Sequence, residues 1–195
     1  VPFFAVFMLQ QLSLPIFTVI VLSTVSEVFV VISLRFWGPL ADRFGSKTIL
    51  SLSSSLFLLV ILGWVLTAFA GQPAFLFLML VILHVFTGIA VAGITLTTGT
   101  LTLKLAPHGR ATSYLAGASL ADSAGTGLGA LAGGFLADLL AGSSLVLDLS
   151  RVGPLQFVFG SIQLTGFHFL FALACILGLA TLRSLQTVRE VGSAG

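Results

Sequence analysis

Along most of this chain the hydrophobic positions do not alternate with polar ones; they run on. Pro15 to Leu34 is twenty residues with one charge, Glu27. Thr48 to Ala70 has no charge, although serines stand at 51, 53, 54 and 55. Pro73 to Leu103 is longer again, and Ala111 to Ala141 and a stretch at about 158–182 follow. Apolar runs of about eighteen residues or more predict membrane-spanning helices. A helix satisfies its own backbone in lipid, whereas a barrel needs alternation that is absent here. The pattern therefore predicts an all-α transmembrane chain with five complete spans, at about 15–34, 48–70, 73–103, 111–141 and 158–182. Residues 1–9 (VPFFAVFML) are apolar but too short to cross, and read as the end of a sixth helix, closed by a polar break at 10–14.

The connections follow from the punctuation. Gly71-Gln72-Pro73 reads as a tight turn. The third run could reach roughly 45 Å at 1.5 Å per residue, so tilt or a kink is expected, with Gly88, Gly93 and Gly99 as the places for it. Residues 142–160 make the longest loop, and 183–195 a polar tail. The chain opens Val1-Pro2-Phe3, with no basic leader or cleavage site, and reads as cut from something longer.

Composition sharpens the class. The 195 residues are 57% hydrophobic and 7% charged, against about 25% charged in soluble domains. The net charge of +2 comes from Lys and Arg at loops and helix ends, and does not point to nucleic acid. The single cysteine, Cys175, sits in an apolar run, where it reads as a small buried residue. There is no H-E-x-x-H, C-x-x-C, phosphate loop or dinucleotide fingerprint. Gly117-Ala118-Ser119-Leu120-Ala121 lacks the last glycine of a nucleophile elbow. No cofactor, no metal site and no enzyme activity are expected.

Positive charges predict an orientation. Arg35, Arg43 and Lys47 lie in one loop, Lys104 and Arg110 in another, and Arg183 and Arg189 at the C-terminal end. Five spans put these three regions on one side, and only Arg151 on the other. The positive-inside rule makes 36–47, 104–110 and the C-terminus cytoplasmic, in a multi-pass protein of the cell membrane.

One short stretch concentrates charge and turn formers: Gly38-Pro39-Leu40-Ala41-Asp42-Arg43-Phe44-Gly45-Ser46-Lys47. Arg35 to Lys47 reads as a loop between two spans. It closely resembles the signature loop of the major facilitator superfamily (MFS), Gly-x-Leu-Ala-Asp-Arg-x-Gly-Arg-Lys. Gly38, Leu40, Ala41, Asp42, Arg43, Gly45 and Lys47 match, and Ser46 departs where a basic residue is usual. The phrase LRFWGPLADRF, the run from Pro2 to Leu14 and the ending TVREVG are similar to bacterial permeases of this superfamily with no assigned substrate.

The resemblance implies twelve helices in two six-helix halves, with this chain covering the C-terminal half, from the end of helix seven to helix twelve, and the N-terminal half absent. It implies that the loop is a conformational latch. Asp42 would cap or pair with a helix end of the other half, where unpaired N–H groups and the dipole favour an anion. Arg43 and Lys47 would add ionic contacts, and Gly38 and Gly45 would permit close packing and tight turning. The alternative is a solvated loop that sets topology.

Three ionisable residues lie near mid-depth: Glu27, His84 and Asp122, each about 16–18 Å along its span at the helical rise. Such groups are costly in a membrane and mark substrate or proton routes. The resemblance puts them on helices eight, ten and eleven, which border the central cavity. They are expected to line the translocation path of a proton-coupled transporter working by alternating access. Its partners would be the bilayer, the missing half, a small-molecule substrate and protons. The alternatives are a facilitator with no ion coupling, or a non-transporting membrane partner or sensor. For the residues themselves, Glu27 has the alternative of a structural bond to Ser23 or Thr24, and His84 that of a satisfied core histidine. His168 reads as structural. Gly125, Gly129 and Gly133 share a helix face with Asp122, and are expected to let another helix approach closely.

Overall fold

The computed structural model describes residues 2–107, 109–140, 142–148 and 161–187. Six α-helices follow in order: α1 (Pro2–Gln10), α2 (Ile16–Phe44), α3 (Ser46–Leu66), α4 (Pro73–Leu105), α5 (Ala111–Leu140) and α6 (Gly166–Thr187). A 3₁₀ turn over Thr67–Phe69 extends α3. Five of the helices are long and apolar enough to cross a membrane. The expected all-α bundle of five spans preceded by a helix end is therefore observed, with different boundaries at two places.

The first difference is the charged stretch. It is not a loop: α2 runs unbroken through Arg35 and Gly38-Pro39 to Phe44, and α3 begins at Ser46. A proline inside a helix costs about 3 kcal/mol, yet packing on both sides of Pro39 outweighs it. Ser33, Trp37 and Ala41, one turn apart, are buried, and Trp37 and Ala41 pack with Ile49 of α3 and Ala92 of α4. The whole connection is Gly45, at φ +87° and ψ +146°. Its N–H bonds Ala41 O at 3.0 Å and its carbonyl receives Ile49 N–H at 3.3 Å, so one residue both ends α2 and starts α3.

The second difference is near the C-terminus. The last span starts at Gly166, not at 158; positions 158–160, with Arg151 and the rest of 149–160, lie outside the described residues, as do 188–195 with Arg189. β1 (Ser144–Asp148), in the expected loop, pairs antiparallel with β2 (Ser161–Thr165), which occupies residues expected in the last span, Ser144 opposite Thr165. The start of α6 is marked by a side-chain cap. The backbone N–H of Thr165 donates to His168 Nδ1 at 3.1 Å, the geometry in which an N3 side chain satisfies the N-cap amide. His168 is thus structural, as expected.

Two apolar clusters hold the bundle. The larger joins Phe4, Phe7 and Met8 of α1 to Leu22, Trp64, Leu80 and Phe171. Trp64 is fully buried at its centre and stacks on Phe4 with centroids 4.6 Å apart. The smaller is the Trp37 cluster behind the α2–α3 turn. Outside these, large apolar side chains such as Ile16, Phe17, Val31 and Phe36 are exposed, which suits a surface solvated by lipid tails rather than water. The helix α5 buries no residue.

Two glycines of α4, Gly88 and Gly93, sit in close packing. A Cβ at Gly88 would meet the Ser26 carbonyl oxygen and Phe29 Cβ; one at Gly93 would lie 2.6 Å from Ser53 Cβ and 3.1 Å from the Trp37 ring. These two positions, expected as kinks, are where α2 and α3 seat against an unbroken α4. A Cβ at Gly125 or Gly129 would meet nothing within 4 Å, and one at Gly133 only the Phe3 ring. Within the described residues α1 reaches that α5 stripe through Phe3 at Gly133, and nothing meets it at Gly125 or Gly129.

Candidate functional site

Glu27 and His84 come together. Glu27 lies on α2, eleven residues from its start, and His84 lies eleven residues into α4. Both line a small cavity of about 150 Å³, with Ser23, Ser26 and Thr87 as further polar lining and Phe4, Ala5 and Met8 of α1 as its apolar side. Eleven residues rise about 16 Å, about half the thickness of a roughly 30 Å hydrocarbon core. The backbone beneath the cavity is tied: Ser26 Oγ donates to His84 O at 3.0 Å.

His84 is buried and held in one tautomer. Nδ1 lies 2.8 Å from Leu80 O. A carbonyl only accepts, so Nδ1 carries the hydrogen and, in the neutral ring, Nε2 is the acceptor. The imidazole also stands edge-on to Trp64, with centroids 5.6 Å apart. The core role is therefore present, together with a place on the cavity wall. Glu27 is exposed on the same wall. The local bond weighed for it is not formed by Thr24, whose hydroxyl goes to Ile20 O at 2.8 Å.

Asp122 does not join them. It is exposed on α5 and lines a separate pocket of about 280 Å³ with Ser119 on α5 and Thr95, Thr98 and Thr102 on α4. Thr95 is eleven residues beyond His84, about 16 Å along the helix. Hence the three mid-depth residues divide between two cavities, one between α1, α2 and α4, the other between α4 and α5. The threonines of that second pocket carry no charge and show no motif, so sequence reading missed them; only the helical stripe at 95, 98 and 102 marks one face of α4.

The signature stretch separates into two faces. Trp37 and Ala41 are buried, while Pro39, Leu40, Asp42 and Arg43 are exposed. Arg43 lies over the Phe44 ring, 5.2 Å from its centroid. A Cβ at Gly38 would meet nothing within 4 Å, so no close packing occurs at Gly38 among the described residues. Gly45 does provide the tight turn. Its φ and ψ fall close to a region that is essentially glycine-only. Ser46, the position that departs from the pattern, is 2% exposed.

These features define a multi-pass helical membrane protein with polar cavities between spans. The chain matches the Major Facilitator Superfamily over residues 1–185 and belongs to that family. The family and the solved neighbours below are transporters, not enzymes. The chain is similar to the inward open conformation of the xylose transporter XylE from E. coli, with TM-score 0.62 and 21% identity over 89% of this chain and 37% of that one. It is similar to the partially occluded inward open conformation, with TM-score 0.64 and 21% identity over 89% and 38%. The MFS proton:xylose symporter XylE bound to 6-bromo-6-deoxy-D-glucose is a third neighbour, with TM-score 0.62 and 21% identity over 89% and 34%. At that identity the likeness is one of fold. The chain spans little more than a third of these proteins. No curated protein matches it.

Proposed function

We propose that this chain is the C-terminal half of a secondary active transporter, moving a small solute by alternating access and coupling that movement to protons. The observation that carries the reading is the meeting of Glu27 and His84, two ionisable side chains from different spans, on one mid-depth cavity. Ionisable groups facing a cavity inside a membrane mark substrate and proton routes, and transporters of this superfamily hold substrate near the midplane between repeats. The neighbour described as a proton:xylose symporter lends the coupling a precedent in the same fold. Asp122, in the α4–α5 pocket, is a second group on the path.

The missing N-terminal half completes the path and receives the latch. Asp42 and Arg43, exposed on the signature turn, are its contacts to that half, with Lys47 beside them. Gly38 and the open face at Gly125 and Gly129 are where its helices come close. Lys and Arg counts put the signature turn and the C-terminus in the cytoplasm, with the protein in the cell membrane.

The test is substrate-driven proton uptake in liposomes carrying the full-length protein. Glu27→Gln should abolish proton uptake while leaving solute exchange. Proton uptake unchanged by both Glu27→Gln and Asp122→Asn would sink the coupling and leave a facilitator. No solute movement in the unaltered protein would favour a non-transporting partner or sensor.

A further inference from the structure

The wall of the Glu27–His84 cavity has few hydrogens left to give. Ser26 Oγ donates to His84 O at 3.0 Å. Thr87 Oγ1 donates to Leu83 O at 2.7 Å, and His84 Nδ1 donates to Leu80 O at 2.8 Å. A hydroxyl has one hydrogen and two lone pairs, and a neutral imidazole has one N–H and one bare nitrogen. The hydrogens of all three side chains are thus spent on the backbone of α4, while their lone pairs remain. Glu27, when ionised, only accepts. Among the described polar side chains of the lining, that leaves the Ser23 hydroxyl as the one donor.

We propose that this cavity binds the protonated amino group of the transported solute, a primary ammonium that donates to Glu27 and the acceptors around it, and that a proton replaces it on Glu27 when it leaves. This rests on the reading of the cavity as a transport site and names its substrate class. The sign of charge agrees. No Lys or Arg lines the cavity, and none lines the α4–α5 pocket where Asp122 stands. His84, from α4, is the only other titratable group among the described lining, and α1 brings none. A carboxylate inside a membrane is costly unless a cation or a proton meets it. An anionic solute would add a second negative charge with nothing to balance it. A neutral hydroxylated solute would find acceptors for its hydrogens and one donor for its oxygens. An ammonium has three donors and no acceptor, the complement of this wall. The cavity, at about 150 Å³, is small beside the roughly 300–1,000 Å³ of a drug-sized pocket. It therefore holds the ammonium and its first carbons, the carbons against Phe4, Ala5 and Met8. The exchange balances: one monovalent ammonium enters as the Glu27 carboxyl O–H breaks and one proton leaves, so the site keeps its net charge.

The experiment uses the full-length protein in detergent and probes of one chain length: butylammonium, butyltrimethylammonium, butanol and butyrate. Ser23 is exposed on the cavity wall, so protection of Ser23→Cys from a maleimide, in a Cys175→Ala background, reads occupancy. Protons released into weakly buffered solution read the exchange. Butylammonium should protect at a concentration about tenfold below butanol, the gap between charged and neutral hydrogen bonds, and should release one proton per site. Butyltrimethylammonium, which keeps the charge and has no N–H, should need about tenfold more than butylammonium on the same ground, and butyrate should not protect. Glu27→Gln should raise the butylammonium requirement about tenfold and end proton release at unchanged melting temperature; its amide oxygen still accepts, so exchange persists at high amine concentration. Better protection by butanol or butyrate than by butylammonium overturns the ammonium assignment and leaves the transport site standing. Equal protection by the two cations removes the N–H basis, and butylammonium binding untouched by Glu27→Gln removes the carboxylate; either overturns the proposal. A lowered melting temperature in Glu27→Gln leaves the decision to the probe series on the unaltered carboxylate. No protection by any probe also overturns it, and the transport-site reading falls with it only if Glu27→Gln leaves substrate-driven proton uptake in liposomes unchanged.

Discussion

Trp37 on α2 donates its indole N–H to the main-chain carbonyl of Ile89 on α4, 2.8 Å away. Ser26 makes the equivalent bond to His84 O. Each acceptor lies four residues before a glycine of α4, Gly88 or Gly93, and each glycine is where the α2 or α3 chain presses in. The helix that carries Glu27 is thereby seated on the helix that carries His84 at two levels. Trp37→Phe keeps most of the ring and removes the donor. It should cost about 0.6 kcal/mol, the mean for interhelical hydrogen bonds in membranes, seen as a small fall in melting temperature in detergent. Trp37→Ala should cost about 3–5 kcal/mol, because the Trp37 cluster is then hollow.

The two sets of glycines should respond in opposite ways. Gly88→Ala and Gly93→Ala each drive a methyl into backbone or ring atoms, a misfit of about 1–3 kcal/mol, and should lower the yield of folded protein. Gly125→Ala and Gly129→Ala meet open space here and replace glycine by a better helix former, worth up to about 1 kcal/mol each. They should leave melting unchanged or raised. Transport lost in those two variants at full folded yield would mark the α5 stripe as the contact with the missing half. Melting of Gly88→Ala equal to the unaltered protein would show that α2 does not sit where described.

Gly45→Ala should be costly in a way that Gly38→Ala is not. An L side chain at φ +87° and ψ +146° costs of order 1–3 kcal/mol, and the α2–α3 turn has no second residue to share it. Gly38 has helical neighbours and open space, so alanine there should be silent in melting. A lost transport rate in Gly38→Ala without lost stability would then report on the partner surface. Equal melting of both variants contradicts the one-residue turn.

Orientation is testable at residues that reagents can reach. Thr48 and Ser143 are both exposed, at opposite ends of their spans. In a Cys175→Ala background, Thr48→Cys should label from the cytoplasmic face and Ser143→Cys from the other. Labelling of both from one side overturns the topology. Ser46 is unsuitable as a reporter, because burial hides it.

Much of the path chemistry was legible residue by residue but not as an arrangement. Glu27, His84 and Asp122 stand out because charge is rare in apolar runs. That two of them share a cavity and the third does not depends on which way each helix is turned. Hydropathy without a polar face says nothing about that. The α5 glycines stood out for their spacing, yet Gly125 and Gly129 meet nothing, while Gly88 and Gly93, which lack such a repeat, are closely packed. A small residue licenses close approach; a neighbour must still be there.

What the sequence determined by itself is the membrane class, the number of spans and the family, because length, apolarity and a charged signature are properties of the chain alone. The tertiary structure decided where helices end and what meets what. Pro39 sits inside a helix because Trp37 and Ala41 are buried on either side of it. Ser46, a departure from a pattern in one dimension, is in three dimensions the buried acceptor of a hydrogen bond from Lys104 Nζ. Both depend on atoms brought close by packing between residues distant in sequence, and a linear pattern does not record that.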